Sequence, residues 1–374
     1  MENVAVVAFW LSAFLLVFTF AGYPVLIAIL TKGRSHPARQ FVAEEVCVIV
    51  VAHNEAARIL QRIDNLLASD FPADILVVSD GSTDDTVTCI QALGNPRVTV
   101  LSQPSRMGKA AGLNAGIAIA RAPILVFTDA RQTFAPDTIR RLVARLSDPA
   151  VGAVSGELTI ASSTSGTGSG VDTYWKMERF LRARESLLDS CIGCTGAVYA
   201  IRRELFTPLP DDTVLDDVVI PMRIALAGKR IIHEPTALAF DPQPLEPAAE
   251  KRRKRRTLAG NFQMLFRHPS WLLPWHNRLW WQLIAHKYLR LAGPLLLLLA
   301  LVTSAILSET IWLYRAALLL QTAFYLLAVL GMLLPLRLKI LTLPAGFVFL
   351  NAAVVSAFLH YLTNPDPARW QTKR

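Results

Sequence analysis

Charge is what this chain has least of. Asp, Glu, Lys and Arg make up only 18% of its 374 residues, against about 25% in an average soluble domain. Hydrophobic residues make up 53%, and the mean hydropathy is +0.38. That balance excludes a disordered chain and argues against an ordinary cytosolic enzyme. Four cysteines in a chain of this length are too few for a disulfide framework. No G-x-G-x-x-G follows the first apolar run of the polar region, which disfavours a dinucleotide-binding oxidoreductase, and no G-x-x-x-x-G-K-[ST] phosphate loop occurs. The little charge present leans positive, 38 basic against 29 acidic residues. Such an excess could face nucleic acid, anionic lipid or a phosphorylated substrate. The composition is that of a membrane protein with a sizeable polar portion.

Long runs without charge locate the membrane part. Val4 to Leu30 contains none, and a bilayer core needs about 20 residues. A signal peptide is disfavoured, since Glu2 precedes the run in place of a basic region and no small-residue cleavage site follows it. Lys32, Arg34 and Arg39 come directly after, which places the N-terminus outside and the next segment in the cytoplasm. Leu291–Leu307, Ile311–Leu334 and Ile340–Leu362 are three further spans. Arg315 snorkels from a span end, Ser308-Glu309-Thr310 suits the outside, and Arg337 and Lys339 suit the inside. Arg369, Lys373 and Arg374 would then fall outside, against the rule.

Between the first and second spans the pattern changes. Val46–Ala52, Ile75–Ser79, Val98–Leu101 and Ile124–Thr128 read as buried strands. Glu55–Ala68, Thr83–Leu93, Lys109–Ala120 and Pro136–Leu146 have helical spacing. This alternation predicts an α/β domain with a mainly parallel sheet, helices on both faces, and a ligand at the carboxyl ends of the strands. Those ends carry His53-Asn54-Glu55, Asp80 to Asp85, and Asp129-Ala130-Arg131. Helix capping accounts for Ser82, Thr83 or Asp84 taken singly. Several acidic strand ends in one crevice imply a bridging cation or hydrogen bonds to sugar and base.

VVAHNEA (51–57), SDGSTDDT (79–86), GKAAGLNAG (108–116), FTDAR (127–131), GAVYAIRRELF (196–206) and LDDVVIPMRIALAGKRI (215–231) follow one another in the order found in family 2 glycosyltransferases. The chain resembles the membrane members of that family, such as the chitin-oligosaccharide, hyaluronan and cellulose synthases. The resemblance implies a GT-A fold that binds a nucleotide-diphospho-sugar. By position, His53, Asn54 and Glu55 would contact the nucleotide, Asp80 the base or ribose, and Lys109 the diphosphate. Asp129 matches the first aspartate of the family's DxD and would orient the donor and a divalent metal, Mg2+ or Mn2+. Arg131 replaces the second carboxylate, and its guanidinium could itself neutralise phosphate charge. Asp217, in Leu215-Asp216-Asp217, would be the general base, although both aspartates also suit the first turn of a helix over Val218–Ala227. Cys194, Thr195, Gly196 and Asp216 would face the acceptor. Cys191-Ile192-Gly193-Cys194 lacks the second ligand pair that zinc requires.

Lys251 to Arg256 is an unbroken run of six cations. It suits attraction to anionic lipid, and a nucleic-acid partner is improbable for a four-span protein. In processive relatives a QxxRW motif lies here. Arg256 keeps the arginine that would contact the diphosphate, whereas Arg253 and Thr257 replace the glutamine and tryptophan. Phe262, Phe266, Trp271 and Trp275 to Trp281, mixed with cations, read as interfacial helices. The domains expected are 1–42 (first span and linker), 43–250 (cytoplasmic GT-A domain), 251–287 (basic and interfacial segment) and 288–374 (about three spans). The expected function is an inverting transfer from a UDP-sugar to a lipid-linked or growing envelope glycan at the inner or plasma membrane. Membrane lipids, and other polysaccharide-assembly proteins, would be its partners. A processive synthase and a non-catalytic scaffold with a degenerate sugar-nucleotide domain are the alternatives.

Overall fold

The structure, a computed structural model, describes residues 2–36, 44–160, 168–241, 247–334 and 338–363. Arg39, Arg337, Arg369, Lys373 and Arg374, which entered the topology expectation, lie outside the described residues, as does the side chain of Lys251. The chain begins with α1 (Glu2–Val17) and α2 (Tyr23–Leu30), joined by one π-helical turn at Phe18–Gly22. An alternating stretch follows: β1 (Val46–Ala52), α3 (Ala56–Leu67), β2 (Asp74–Asp80), α4 (Thr86–Ala92), β3 (Val98–Gln103), α5 (Lys109–Ile119) and β4 (Ile124–Thr128). Next come β5 (Thr133–Phe134), α6 (Thr138–Leu146), β6 (Val151–Ile160), α7 (Gly168–Leu188), β7 (Tyr199–Arg202), α8 (Asp216–Leu226) and β8 (Arg230–Asp241). The remainder is helical: α9 (Pro247–Arg267), α10 (Trp280–Leu283), α11 (Leu289–Ile306), α12 (Trp312–Leu333) and α13 (Lys339–Thr363).

These elements form two compact units. One consists of Gly33–Ser162 and Glu185–Glu250; the other of Met1–Lys32, Ser163–Arg184 and Lys251–Thr363. The stretch 43–250, expected as one domain, therefore contributes Ser163–Arg184 to the apolar unit.

The first unit holds one mixed sheet in the order β3-β2-β1-β4-β7-β6-β8-β5. β3, β2, β1 and β4 are parallel, as the strand–helix alternation predicts. Beyond β4 the sheet departs from the mainly parallel expectation. β7 runs antiparallel to both β4 and β6, and β5 antiparallel to β8, while β6 and β8 are parallel. Val48, Ile49 and Val50 on the central β1 are fully buried, which explains its unbroken apolar run. One face of the sheet packs α3 and α6 through Ile59, Ile63, Leu142 and Val143.

The apolar unit contains four helical runs long and apolar enough to cross a membrane: Glu2–Leu30, Trp280–Ile306, Trp312–Leu333 and Lys339–Thr363. These correspond to the four expected spans, with one shift. Trp280 and Trp281, read as part of a surface helix, open the second apolar run. In the same unit Glu178 of α7 is buried and accepts hydrogen bonds from His286, Lys287 and Arg290, each at 3.0 Å.

Candidate active site

The carboxyl ends of β1, β2 and β4, the amino ends of α5 and α8, and the last residue of β8 supply the polar side chains of the sheet unit. Hydrogen bonds stitch the first two strand ends together. The backbone N–H of Asn54, a left-handed residue at φ 56°, donates to Ser82 Oγ (3.1 Å), and Asn54 Oδ1 accepts the N–H of Thr83 (2.8 Å). The N–H of Glu55 donates to Thr86 Oγ1 at 2.9 Å, and its carboxylate pairs with Arg58 at 3.0 Å. Burial pushes the Glu55 carboxyl above its ordinary value, against the pull of Arg58 and Arg131. His53 Nδ1 lies 2.7 Å from the carbonyl oxygen of Asp80.

Asp80, expected at the base or ribose, is only 4% exposed. Its carboxylate accepts the N–H groups of Met107 (2.6 Å) and Gly108 (3.0 Å), and so holds the loop that leads into α5. Gly81, at φ +61°, permits this closure, because a Cβ there would stand 2.4 Å from the backbone nitrogen of Arg106. The loop then delivers Lys109 as the first residue of α5, whose small buried residues Ala110, Ala111 and Gly112 let the helix sit close on the sheet.

Lys109 is the centre of the constellation. Its Nζ lies 3.0 Å from Asp129 Oδ1 and 3.5 Å from Asp216 Oδ2. Burial alone would lower the ammonium's pKa, but the charges of Asp129, Asp216 and Asp217 outweigh burial and raise it, so Lys109 stays protonated. Asp216, expected to face the acceptor, is buried beside Lys109. Asp217, half-buried, follows it in the first turn of α8, where both aspartates suit the positive end of the helix dipole.

The Cys194–Gly196 segment packs on the same turn. The N–H of Cys194 donates to the carbonyl of Asp217 at 2.7 Å, and the Cys194 thiol is buried. Thr195 donates from Oγ1 to the carbonyl of Gly156 (2.9 Å). At Gly196 a Cβ would stand 2.8 Å from Asp217 Oδ2. The missing side chain there makes room for the Asp217 carboxylate itself, a role distinct from the expected close approach of a sugar.

Arg131 does not project alone. Its guanidinium pairs with Asp241, the last residue of β8, which is 3% exposed and also accepts from Gln132 Nε2 at 3.3 Å. A carboxylate from a distant strand thus answers the cation that stands where the DxD pattern has its second carboxylate. Among the described residues no three His, Cys, Asp or Glu side chains gather into a group that would hold a metal unaided. Arg256 and Thr257 lie on α9 in the apolar unit, Arg256 half-buried and Thr257 exposed.

Residues 47–208 match the family model described as glycosyl transferase family 2. This chain carries a family 2 glycosyltransferase domain. Its mixed sheet and flanking helices are the GT-A fold. The chain is similar to the mannosyltransferase PcManGT from Pyrobaculum calidifontis, solved in complex with GDP-Man and Mn2+. That likeness has a TM-score of 0.71 at 26% identity and covers 96% of this chain and 99% of that one. It is 33% identical over 103 residues to the succinoglycan biosynthesis protein ExoU of Rhizobium meliloti (strain 1021), 27% of this chain and 30% of the relative. It is 24% identical over 233 residues to the poly-beta-1,6-N-acetyl-D-glucosamine synthase of Staphylococcus aureus (strain COL), 60% of this chain and 56% of the relative. The matching segments thus span between about a third and a half of these curated relatives.

Three residues of the domain escaped the motif reading: Arg62, Asn65 and Asp241. Arg62 left a signal, since Ile59, Arg62, Ile63 and Leu66 follow the i, i+3, i+4, i+7 spacing of a buried stripe that a cation interrupts. Asp241 left none, because its partner is far away in sequence.

Proposed function

We propose that the chain is a membrane-bound inverting glycosyltransferase. It moves a sugar from a nucleotide-diphospho-sugar, UDP-linked in this reading, to a lipid-linked or growing envelope glycan. The observation that carries the proposal is the convergence of Asp129, Asp216 and Asp217 around Lys109 at the carboxyl edge of a GT-A sheet. The GDP-Man in the PcManGT complex and the glycan-synthesis names of the curated relatives support a sugar-nucleotide donor.

In this mechanism Asp217 accepts the proton of the acceptor hydroxyl as its oxygen attacks the anomeric carbon. One displacement inverts the configuration and expels the nucleoside diphosphate. Lys109 and Arg131 offset the charge that grows on the leaving diphosphate. The resemblance to the processive synthases, rather than a contact seen here, assigns Arg256 to the diphosphate and Thr257 to the acceptor. His53, Asn54 and Glu55 border the nucleotide, while Asp80 acts through the 105–108 loop. Asp129 suits a divalent cation, Mn2+ or Mg2+: Lys109 engages Oδ1, Oδ2 accepts no hydrogen bond from a described residue, and the side chain is 36% exposed. Such cations are commonly held by one or two carboxylates plus substrate phosphates. Bound there, the cation would supply electrostatic stabilisation of the diphosphate.

The four apolar runs and the cations after the first support an inner-membrane location with a cytoplasmic catalytic domain. The test is a screen of UDP- and GDP-sugars against purified protein, reading released nucleoside diphosphate. Release from one or more donors, abolished by Asp217→Asn, is the expected result. No release from any donor would return the chain to the scaffold reading. Product length separates single additions from a processive synthase, the activity named for the staphylococcal relative.

A further inference from the structure

We propose that Arg62, together with Asn65, is the positioning residue of the aspartate loop between β4 and β5, acting through Thr128 and Phe134 to set Asp129 and Arg131 for the donor diphosphate. This rests on the glycosyltransferase reading above.

Arg62 is 2% exposed, the largest fully buried side chain of the domain. Its Nη2 donates to Thr128 Oγ1 at 2.7 Å, its Nη1 donates to Asn65 Oδ1, and its guanidinium carbon lies 4.3 Å from the centre of the Phe134 ring. No described carboxylate lies within ion-pair distance of it. Asn65, one turn further along α3, completes the hold. Its Nδ2 donates to the Phe134 carbonyl at 3.0 Å, and its Oδ1 accepts the Phe134 N–H at 2.8 Å. Thr128 ends β4 and Phe134 ends β5, so one face of one helix holds the strands on both sides of the loop that contains Asp129 and Arg131.

The hydrogen-bond directions show why a cation suits this position. A guanidinium only donates, so the Thr128 hydroxyl must accept from Arg62 and turn its own proton to the Ala197 carbonyl, 2.8 Å away. Ala197 directly follows Gly196, the residue beside the proposed base. One buried cation therefore orders the donor loop and the acceptor-side segment in a single chain of bonds.

Packing alone does not account for Arg62. Burying a guanidinium without a carboxylate is costly, and an apolar replacement of similar size is often neutral or stabilising. With Met at 62, Thr128 keeps its bond to Ala197 and Asn65 keeps both bonds to Phe134, so no new orphan is made. A residue that served only the core would gain from the exchange; a positioning residue would lose function without losing stability.

The test uses the full-length protein in detergent, with Arg62→Met, Arg62→Lys and Asn65→Ala. Readouts are thermal melting, binding of UDP and GDP, and KM and kcat for donor turnover. Arg62→Met should melt at or above the wild-type temperature while kcat/KM for the donor falls on the order of 10²-fold, the scale of a loop displaced by about 1 Å. The loss should be larger in KM than in kcat. Arg62→Lys keeps a buried donor for Thr128 and should recover most of it. Asn65→Ala, which leaves the charge in place, should raise the donor KM by about tenfold and serves as the test if Arg62→Met does not fold. A donor KM within twofold of wild type in folded Arg62→Met or Asn65→Ala would overturn the proposal. So would a parallel fall in melting temperature, KM and kcat that lysine does not rescue. A wild-type protein that binds neither nucleotide and turns over no donor would remove the glycosyltransferase reading, and this proposal with it.

Discussion

Gly196→Ala is a narrow perturbation of the proposed base. The added Cβ would stand 2.8 Å from Asp217 Oδ2 and 3.3 Å from its Cγ. Ordinary carbon–oxygen contacts begin near ~3.3 Å, so the carboxylate must retreat by about half an ångström. The Cys194 N–H to Asp217 carbonyl bond fixes the backbone on the other side, so the side chain must absorb the shift. A general base contributes about 10²–10⁴-fold and depends on hydrogen-bond reach to the proton it takes. A half-ångström retreat should forfeit part of that, lowering kcat about tenfold, or ~1.4 kcal/mol. Donor KM should stay within about twofold, since no donor contact changes. The assay is nucleoside diphosphate release under saturating donor, run on Gly196→Ala, Asp217→Asn and the double variant. Asp217→Asn should lose about 10²-fold or more by itself. In its background Gly196→Ala should cost nothing further, because coupled residues are not additive. Full turnover in Gly196→Ala, or an additive loss in the double variant, would refute the assignment of Asp217 as base through this contact.

Six further perturbations test the remaining parts. Asp129→Ala should impair donor binding more than turnover of bound donor; thorough chelation of the wild type tests the cation, and undiminished activity would mean that Arg131 serves in its place. Asp241→Asn leaves Arg131 without its buried ionic partner and should weaken nucleotide binding about tenfold, measured on the folded variant. Arg256→Ala should slow every transfer, an effect persisting at high salt, whereas Thr257→Trp should alter acceptor affinity or product length; equal, mild, salt-sensitive losses would assign both positions to the membrane surface. Glu178→Gln removes the carboxylate shared by His286, Lys287 and Arg290 and should lower stability in detergent by about 3–5 kcal/mol, read by thermal melting, with donor KM unchanged.

Local pattern was enough for the parts of this protein whose cause is local. A strand buried on both faces must be a continuous apolar run, so β1 and β4 were legible to the residue. A bilayer span must be long and nearly uncharged, so the four apolar runs were legible too. Motif order carried the family, because each motif closes a strand or opens a helix of the same sheet. The antiparallel turn of the sheet at β7 was not legible. β7 has only four residues, and its direction depends on its partners rather than on its own composition.

The active-site chemistry divides along the same line. Sequence alone determined which residue types are available: a lysine at the start of α5, aspartates at the end of β4 and the start of α8, and an arginine where a second carboxylate is usual. Only the tertiary structure decided what each one meets. Lys109 reaches both Asp129 and Asp216, Asp80 turns inward to hold a loop, Gly196 yields its space to Asp217, and Arg131 is answered by Asp241. The physical reason is that helix and strand periodicity acts over a few residues, whereas charge pairing and steric room act over a few ångströms between segments up to about a hundred residues apart. The sheet brings those segments together, and no local pattern records which side chain will be waiting there.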